Sequence, residues 1–439
     1  MKGKTWAAVP AAAALAAAVG AGIWLLVRSG LFVGFRLAAV AAAVCVLVGA
    51  FGFLLSVEIG GKGRGRDMLW LAAGCAAAIC ARLVHVDFAS GDYSTFLSQW
   101  VEYFRANGGF KAIAGSVGDY NVTYLYFLAL FSYSPLPDLF LIKMLSTAFD
   151  FVAAFYAMKI AGTLKQGTAV RAAAFFAVLF MPTVLINSSI WAQCDSIYTA
   201  FALGALYFAL RDNGPASMAM LGVSLAFKLQ AVFIFPLWAA AFFGRRFRLK
   251  WLPVLPAAFF LTALPAVLLG KPIADIINVY IAQTGEYTSS LTWNAPSVFV
   301  FFSGAGKTGA YIGIAAAAAF CLLAALLARR VSGSVSDRTM CLCALSICMA
   351  VPYLLPYMHD RYFYLPGVLA FGAAAAMPWL YPAAVLAEFS SLLCYKAYFD
   401  SRLVNNRTAA ICMGAALVYV AAMAAASGAA EKLGKNKGR

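Results

Sequence analysis

The chain alternates long apolar runs with short polar breaks, and most of the runs are of helical length. They lie near 6–27, 33–57, 67–84, 139–161, 171–187, 195–210, 216–229, 231–243, 252–269, 309–328, 339–355, 365–377, 379–396 and 409–428, and are rich in Ala, Leu and Gly. A bilayer-crossing helix needs roughly 17–25 such residues. The ten-residue alternation of a membrane β-barrel is missing. The pattern predicts an all-α, polytopic integral membrane protein with about 13–14 transmembrane helices. Lys228 and Gln230 interrupt the stretch 216–243 and Pro236 follows, so it reads as two short helices meeting at the surface.

Composition strengthens this reading. Hydrophobic residues make up 64% and charged residues 11%, against roughly 45–50% and about 25% in soluble domains. A bilayer accepts that much apolar surface, provided helices satisfy every backbone group. Most of the ten cysteines lie inside apolar runs, where they act as small hydrophobes and not as a disulfide framework. Cys341 and Cys343 stand one residue apart, a spacing that suits no common zinc site. The apolar run after Lys2 and Lys4 ends at Arg28 and outlasts a signal-peptide core, so an uncleaved first helix is expected.

Charge then orients the chain. With the N-terminus cytoplasmic, most of the 33 basic residues fall in cytoplasmic segments, anchored by KGRGR (62–66) and RRFRLK (245–250). Asp87, Asp92, Asp119, Asp195 and Asp360 fall outside, and both termini are expected inside. The net charge of +16 needs no partner beyond anionic lipid headgroups and gives no argument for nucleic acid. The predicted organisation is N-terminal transmembrane helices (1–84), an outer catalytic loop with amphipathic helices (85–138), a transmembrane core (139–269), a second outer loop (270–308), and C-terminal helices with a basic cytoplasmic tail (309–439). Loops of that length usually have a function. In the first, Phe96, Leu97, Trp100, Val101 and Phe104 form one face of an interfacial helix stopped by Asn107-Gly108-Gly109. The stretch 119–135 is expected to be a second interfacial or re-entrant helix.

Four polar clusters converge on the outer face. Gly91-Asp92-Tyr93 opens the amphipathic helix; its carboxylate is either an N-cap or a general base for an acceptor hydroxyl. NSSIWAQCDSIY (187–198) crowds Trp191, Gln193 and Asp195 between two apolar helices. AFKLQAVF (226–233) puts Lys228 and Gln230 inside an apolar run, where a Lys either snorkels or meets an anion. PYLLPYMHDRYFYLP (352–366) sets His359, Asp360 and Arg361 among tyrosines, the makings of a phosphate site. No Walker motif, dinucleotide fingerprint or metal-ligand spacing occurs. A lipid phosphate leaving against cations, opposite an activating Asp, accounts for the four clusters together.

On these motifs the chain resembles the GT-C superfamily of polyprenyl-phosphate-sugar-dependent glycosyltransferases, above all bacterial relatives of the transferase that adds the second mannose of GPI anchors. GDYSTFLSQW, GGFKAIAGSVGDYNVTYLYFLAL, SSIWAQCDSIYTAFALGALYFAL, LAFKLQAVFIFP and MHDRYFYLPGVLA occur in the family's order across about residues 85–370. The family more often has Gly at Ala192 and Glu at Asp360. The resemblance implies an inverting hexosyltransferase, most plausibly a mannosyltransferase, in a bacterial plasma membrane. Its catalytic base would be Asp92, with Asp87, Asp119 and Asp195 the other carboxylates the residues leave open for that role, and its donor phosphate would be held by Lys228, His359 and Arg361. Tyr93, Asp119, Trp191, Gln193, Asp195 and Gln230 would contact substrate, and Trp293 and Asn294 would close over the donor. No cofactor or metal is required by the residues. The rival expectations are a lipid-linked oligosaccharide flippase and a polymerase or ligase with a diphosphate-linked donor.

Overall fold

The protein is described by a computed structural model over residues 8–59, 64–286, 288–331, 333–400 and 406–436. Lys2, Lys4, Lys62, Lys437 and Arg439 of the predicted basic anchors lie outside these residues. The chain is an all-α polytopic membrane protein. Helices α1 (Ala8–Arg28), α2 (Phe35–Ile59) and α3 (Arg64–Leu83) pack together. The first long connection then carries a π turn (Tyr93–Leu97), α4 (Ser98–Ala106), a 3-10 turn (Gly109–Ala114) and α5 (Val122–Phe131). Next come α6 (Asp138–Leu164), α7 (Thr168–Leu179) and the one-turn α8 (Pro182–Leu185), which runs into a second π turn (Ile186–Ile190). Helix α9 (Asp195–Leu210) and α10 (Gly214–Phe227) follow, then a 3-10 turn (Leu229–Ile234) and α11 (Pro236–Phe243). The rest is α12 (Val254–Leu268), α13 (Ile273–Glu286), α14 (Gly306–Arg329), α15 (Asp337–Leu354), α16 (Tyr364–Ala374), α17 (Tyr381–Phe399) and α18 (Asn406–Asn436).

The apolar helices differ in length and in burial. Among the described residues seven helices are long and apolar enough to cross a membrane, or eight if α7 and the segment Pro182–Ile190, bent by 49°, form one span. Four other apolar helices are shorter, including α9 and α10. Apolar content alone cannot separate a lipid-facing helix from one wrapped in protein. In α1, α2, α12 and α14 only 17–22% of the spanning window is buried, against 56% in α6 and 72% in α15. The first four form the lipid-facing periphery, and α6, α9 and α15 make the core. A correction concerns the segment 270–308, read as a loop, which contains the fourteen-residue α13. Ile273, Ile276, Ile277, Tyr280 and Ile281 recur there at helical spacing.

Two polar ties hold the core. Arg82 and Asp150, both fully buried, pair at 2.8 Å. Arg82 also donates to the carbonyls of Ala78 and Leu179, while Ser188 and Tyr364 donate to Asp150. This network joins α3, α6, the second π turn and α16. At one end of the bundle Arg246 donates to Asp212, Asp337 and the carbonyls of Leu210 and Val335, and Lys159 pairs with Glu58 at 2.9 Å.

Candidate functional site

Local sequence shapes both π turns. In the first, Ser90 Oγ accepts the Tyr93 N–H at 3.2 Å and donates to the Trp191 carbonyl at 2.6 Å, so one serine ties the GDY segment to the WAQCD segment. In the second, the Trp191 N–H reaches the Ile186 carbonyl at 2.8 Å. The extra residue of a π turn rotates the side chains that follow, a recurrent device at functional sites. Ala192 then takes φ +63°, the left-handed conformation that a glycine accepts without strain. This is the position where the resembling family more often has Gly.

The outcome is a carboxylate held on three sides. Asp92 Oδ2 accepts from Trp191 Nε1 at 3.0 Å and Gln193 Nε2 at 2.5 Å. Its Oδ1 accepts from the Tyr398 hydroxyl at 2.7 Å, and that hydroxyl also accepts the Asp92 N–H at 3.0 Å. Arg361 Nη2 lies 3.8 Å from Oδ2, and its guanidinium sits over the Trp191 ring at 5.1 Å. Asp92 therefore starts its turn without capping it; no side-chain cap bond is formed.

Lys228 is aimed inward because the chain breaks there. Its backbone is extended (φ −155°, ψ 136°) between α10 and the 3-10 turn. The ammonium meets Asp195 Oδ1 at 2.5 Å, both side chains being nearly inaccessible, and Asn187 donates to Oδ2 at 2.9 Å. The two polar breaks singled out in the sequence are thus one buried ion pair.

The segment 358–363 completes the site. Met358–His359 pairs in parallel with Thr292–Trp293, the Trp293 and His359 rings stack at 6.0 Å, and Asn294 bridges to His359. Among the described residues, three of the five non-glycines with positive φ, Ala192, Asn294 and Tyr357, flank this site. Such strain gathers where function over-determines the backbone. Burial, reinforced by the positive charge of Arg361 and Lys228, pushes His359 down to about 3, so its imidazole is neutral and offers one N–H without a charge. Burial pushes the Asp360 carboxyl up to about 7, with Arg361 opposing. Arg361 Nε and Nη1 are buried with no hydrogen-bond partner among the described residues. Buried donors of that kind are costly to leave unmade, and a guanidinium edge matches a phosphate.

These side chains face a cavity of about 410 Å³ lined by Asp119, Lys228, Gln230, Gln283, His359 and Arg361, with tyrosines around them. Leu229 and Thr284 also line an adjoining apolar groove of about 400 Å³ between α12 and α13, walled by Leu255, Phe259, Ile277 and Ile281. Among the described residues no group of three His, Cys, Asp or Glu is placed to hold a metal ion. No family model matches the chain, and no curated protein matches it. The geometry therefore carries the functional argument alone.

Of the residues expected at the site, Asp92, Asp119, Trp191, Gln193, Asp195, Lys228, Gln230, Trp293, Asn294, His359 and Arg361 come together: Asp119, Lys228, Gln230, His359 and Arg361 line the cavity, and the others are tied to them by contacts with Arg361, Lys228, His359 and Asp92. Tyr93 does not. Its hydroxyl lies beside the Leu139 backbone, Asp138 and Arg105, because the π turn sends it to the side opposite Asp92. Asp87 is exposed near Lys143. Tyr398, Tyr120 and Gln283 were missed. Tyr398 at the end of α17 reads as an interfacial aromatic, whereas Tyr120 carried a signal: Gly-Asp-Tyr occurs twice, at 91–93 and at 118–120.

Tyr398 is the only one of Asp92's three side-chain donors that comes from the C-terminal helices. Tyr398→Phe is expected to keep the fold, since the ring still stacks on Trp191 at 4.0 Å, and to loosen Asp92. A fall of about tenfold in turnover with unchanged thermal stability is the expected result; parallel losses of both would mark a purely structural tyrosine.

Proposed function

We propose that this protein is a membrane glycosyltransferase that moves a hexose, mannose by resemblance, from a polyprenyl-phosphate donor to an acceptor hydroxyl with inversion. The observation that carries the reading is the cavity itself. It brings Arg361, whose buried Nε and Nη1 have no hydrogen-bond partner among the described residues, to one lining with Lys228 and Asp119, and shares Leu229 and Thr284 with an apolar groove. A phosphate seated on Arg361, with the neutral His359 and the Lys228–Asp195 pair beside it, leaves room for its lipid tail along Leu255, Phe259 and Ile281. Departure of that phosphate places negative charge where fixed donors already point, the most effective form of electrostatic stabilisation.

Helix polarity supports a non-cytoplasmic site. Helix α9 runs from Asp195 in the site to Leu210 at the basic end, and α10 returns from Gly214 to Lys228. The site and the basic cluster are therefore separated by the length of α9, about 24 Å at 1.5 Å per residue. By the positive-inside rule the basic end is cytoplasmic, which agrees with a bacterial plasma-membrane enzyme acting outside.

The deciding experiment gives the purified protein mannose linked to polyprenyl monophosphate or to polyprenyl diphosphate, in lipid nanodiscs. Consumption of the monophosphate donor alone is the expected result. Preference for the diphosphate points to a polymerase or ligase, and movement of either lipid across liposomes without glycosyl transfer points to a flippase.

A further inference from the structure

Two Gly-Asp-Tyr triplets bring two carboxylates to this site, and their surroundings differ. Asp92 is the one the resemblance marks as base, yet three side chains already donate to it and Arg361 stands 3.8 Å away. A carboxylate offers about four lone-pair sites; Trp191 and Gln193 take both of those on Asp92 Oδ2, and Tyr398 takes one on Oδ1. Asp119 is the opposite case. Among the described residues its carboxylate takes only its own backbone N–H, and it lines the cavity.

The backbone fixes Asp119 in that orientation. Gly118 has φ +63°, and a Cβ there would come within 2.5 Å of the Trp100 ring, so the turn closes tightly against α4. From the other side α13 holds the same loop, Gln283 donating to the Asp119 carbonyl at 2.5 Å and Asn121 to the Ile276 carbonyl at 3.3 Å. Burial raises the Asp119 carboxyl above its usual range, while Lys228 and Arg361 keep it ionisable. A poised, accessible carboxylate of this kind is what a general base requires.

Resting on the transferase reading, we propose that Asp119 is the general base and that Asp92 is a positioning residue that fixes Arg361 for the donor phosphate. The acceptor O–H gives its proton to the Asp119 carboxylate while its oxygen forms the new bond to C1 of the sugar. The C1–O bond to phosphate breaks on the opposite face, and the phosphate leaves with that electron pair against Arg361.

The test uses the full-length protein in nanodiscs with polyprenyl-phosphate mannose as donor and water as the acceptor, reading released mannose; binding of polyprenyl phosphate is measured separately. Asp119→Asn should lower turnover about 10²–10⁴-fold and leave polyprenyl phosphate affinity within about threefold. Added formate should restore part of the activity of Asp119→Ala and none to Asp92→Ala. Asp92→Asn should weaken polyprenyl phosphate binding and raise KM. Asp119→Asn turning over at the wild-type rate overturns the assignment, as does formate rescue of Asp92→Ala in place of Asp119→Ala. Wild-type protein that neither binds nor consumes the donor removes the transferase reading itself, a result distinct from either.

Discussion

Arg361→Ala should abolish polyprenyl phosphate binding and reduce sugar transfer by about 10²–10³-fold or more, the cost of removing one well-aimed donor from a site of developing negative charge. Arg361 Nη2 lies 3.8 Å from Asp92, its Nε 3.8 Å from Asp360, and its Cζ 5.1 Å from the Trp191 ring centre, so three side chains restrain it. Neither Nε nor Nη1 has a hydrogen-bond partner among the described residues. Lysine carries the same charge but neither the plane nor the fork. Arg361→Lys should therefore recover little. The measurement is displacement of a labelled polyprenyl phosphate, with thermal unfolding as the control for folding. An Arg361→Lys protein that binds and turns over like wild type would remove Arg361 from the phosphate site.

The second large effect is on stability. Arg82→Ala should destabilise the protein by about 3–5 kcal/mol, the usual consequence of stranding one buried charge of a pair. Asp150 would keep only Ser188 and Tyr364 as donors, at 2.7 Å and 3.2 Å, in a place water does not reach. The paired replacement Arg82→Met with Asp150→Leu should recover most of the loss, because burying two matched apolar groups avoids the desolvation cost of both ions. Thermal unfolding of the three proteins in one detergent reads this directly. Equal destabilisation by the single and double replacements would contradict it. Ser188 lies in the π turn that carries Trp191, so the single variant should also lower transfer at temperatures where it is still folded.

Much of this was legible in the chain. The apolar runs placed α1, α2, α6, α9, α14, α15 and α17 to within a few residues, because each is bounded by charged or turn-forming residues. The four polar clusters were visible as polar groups that an apolar run must either pair or use. Two kinds of feature were not legible. Which helices face lipid was not legible, because residues of α10 and α16 are as apolar as lipid-facing ones while packing on protein. Helix α13 was overlooked because its apolar stripe is confined to a single face in a segment already assigned to a loop.

The sequence by itself determined that the protein lives in a membrane and that Lys228, the WAQCD segment and the His-Asp-Arg turn are polar exceptions needing an explanation. It could do so because the cost of a charge in an apolar run is local and depends only on neighbours in the chain. Only the tertiary structure decided who satisfies whom: Lys228 with Asp195, Asp92 with Trp191, Gln193 and Tyr398, and Arg82 with Asp150. Those partners lie 33 to 306 residues apart, a separation over which no spacing rule operates. The same holds for the two Gly-Asp-Tyr triplets. They are identical as sequence, and one carboxylate takes three side-chain donors while the other lines the cavity, because the packing around each supplies different donors.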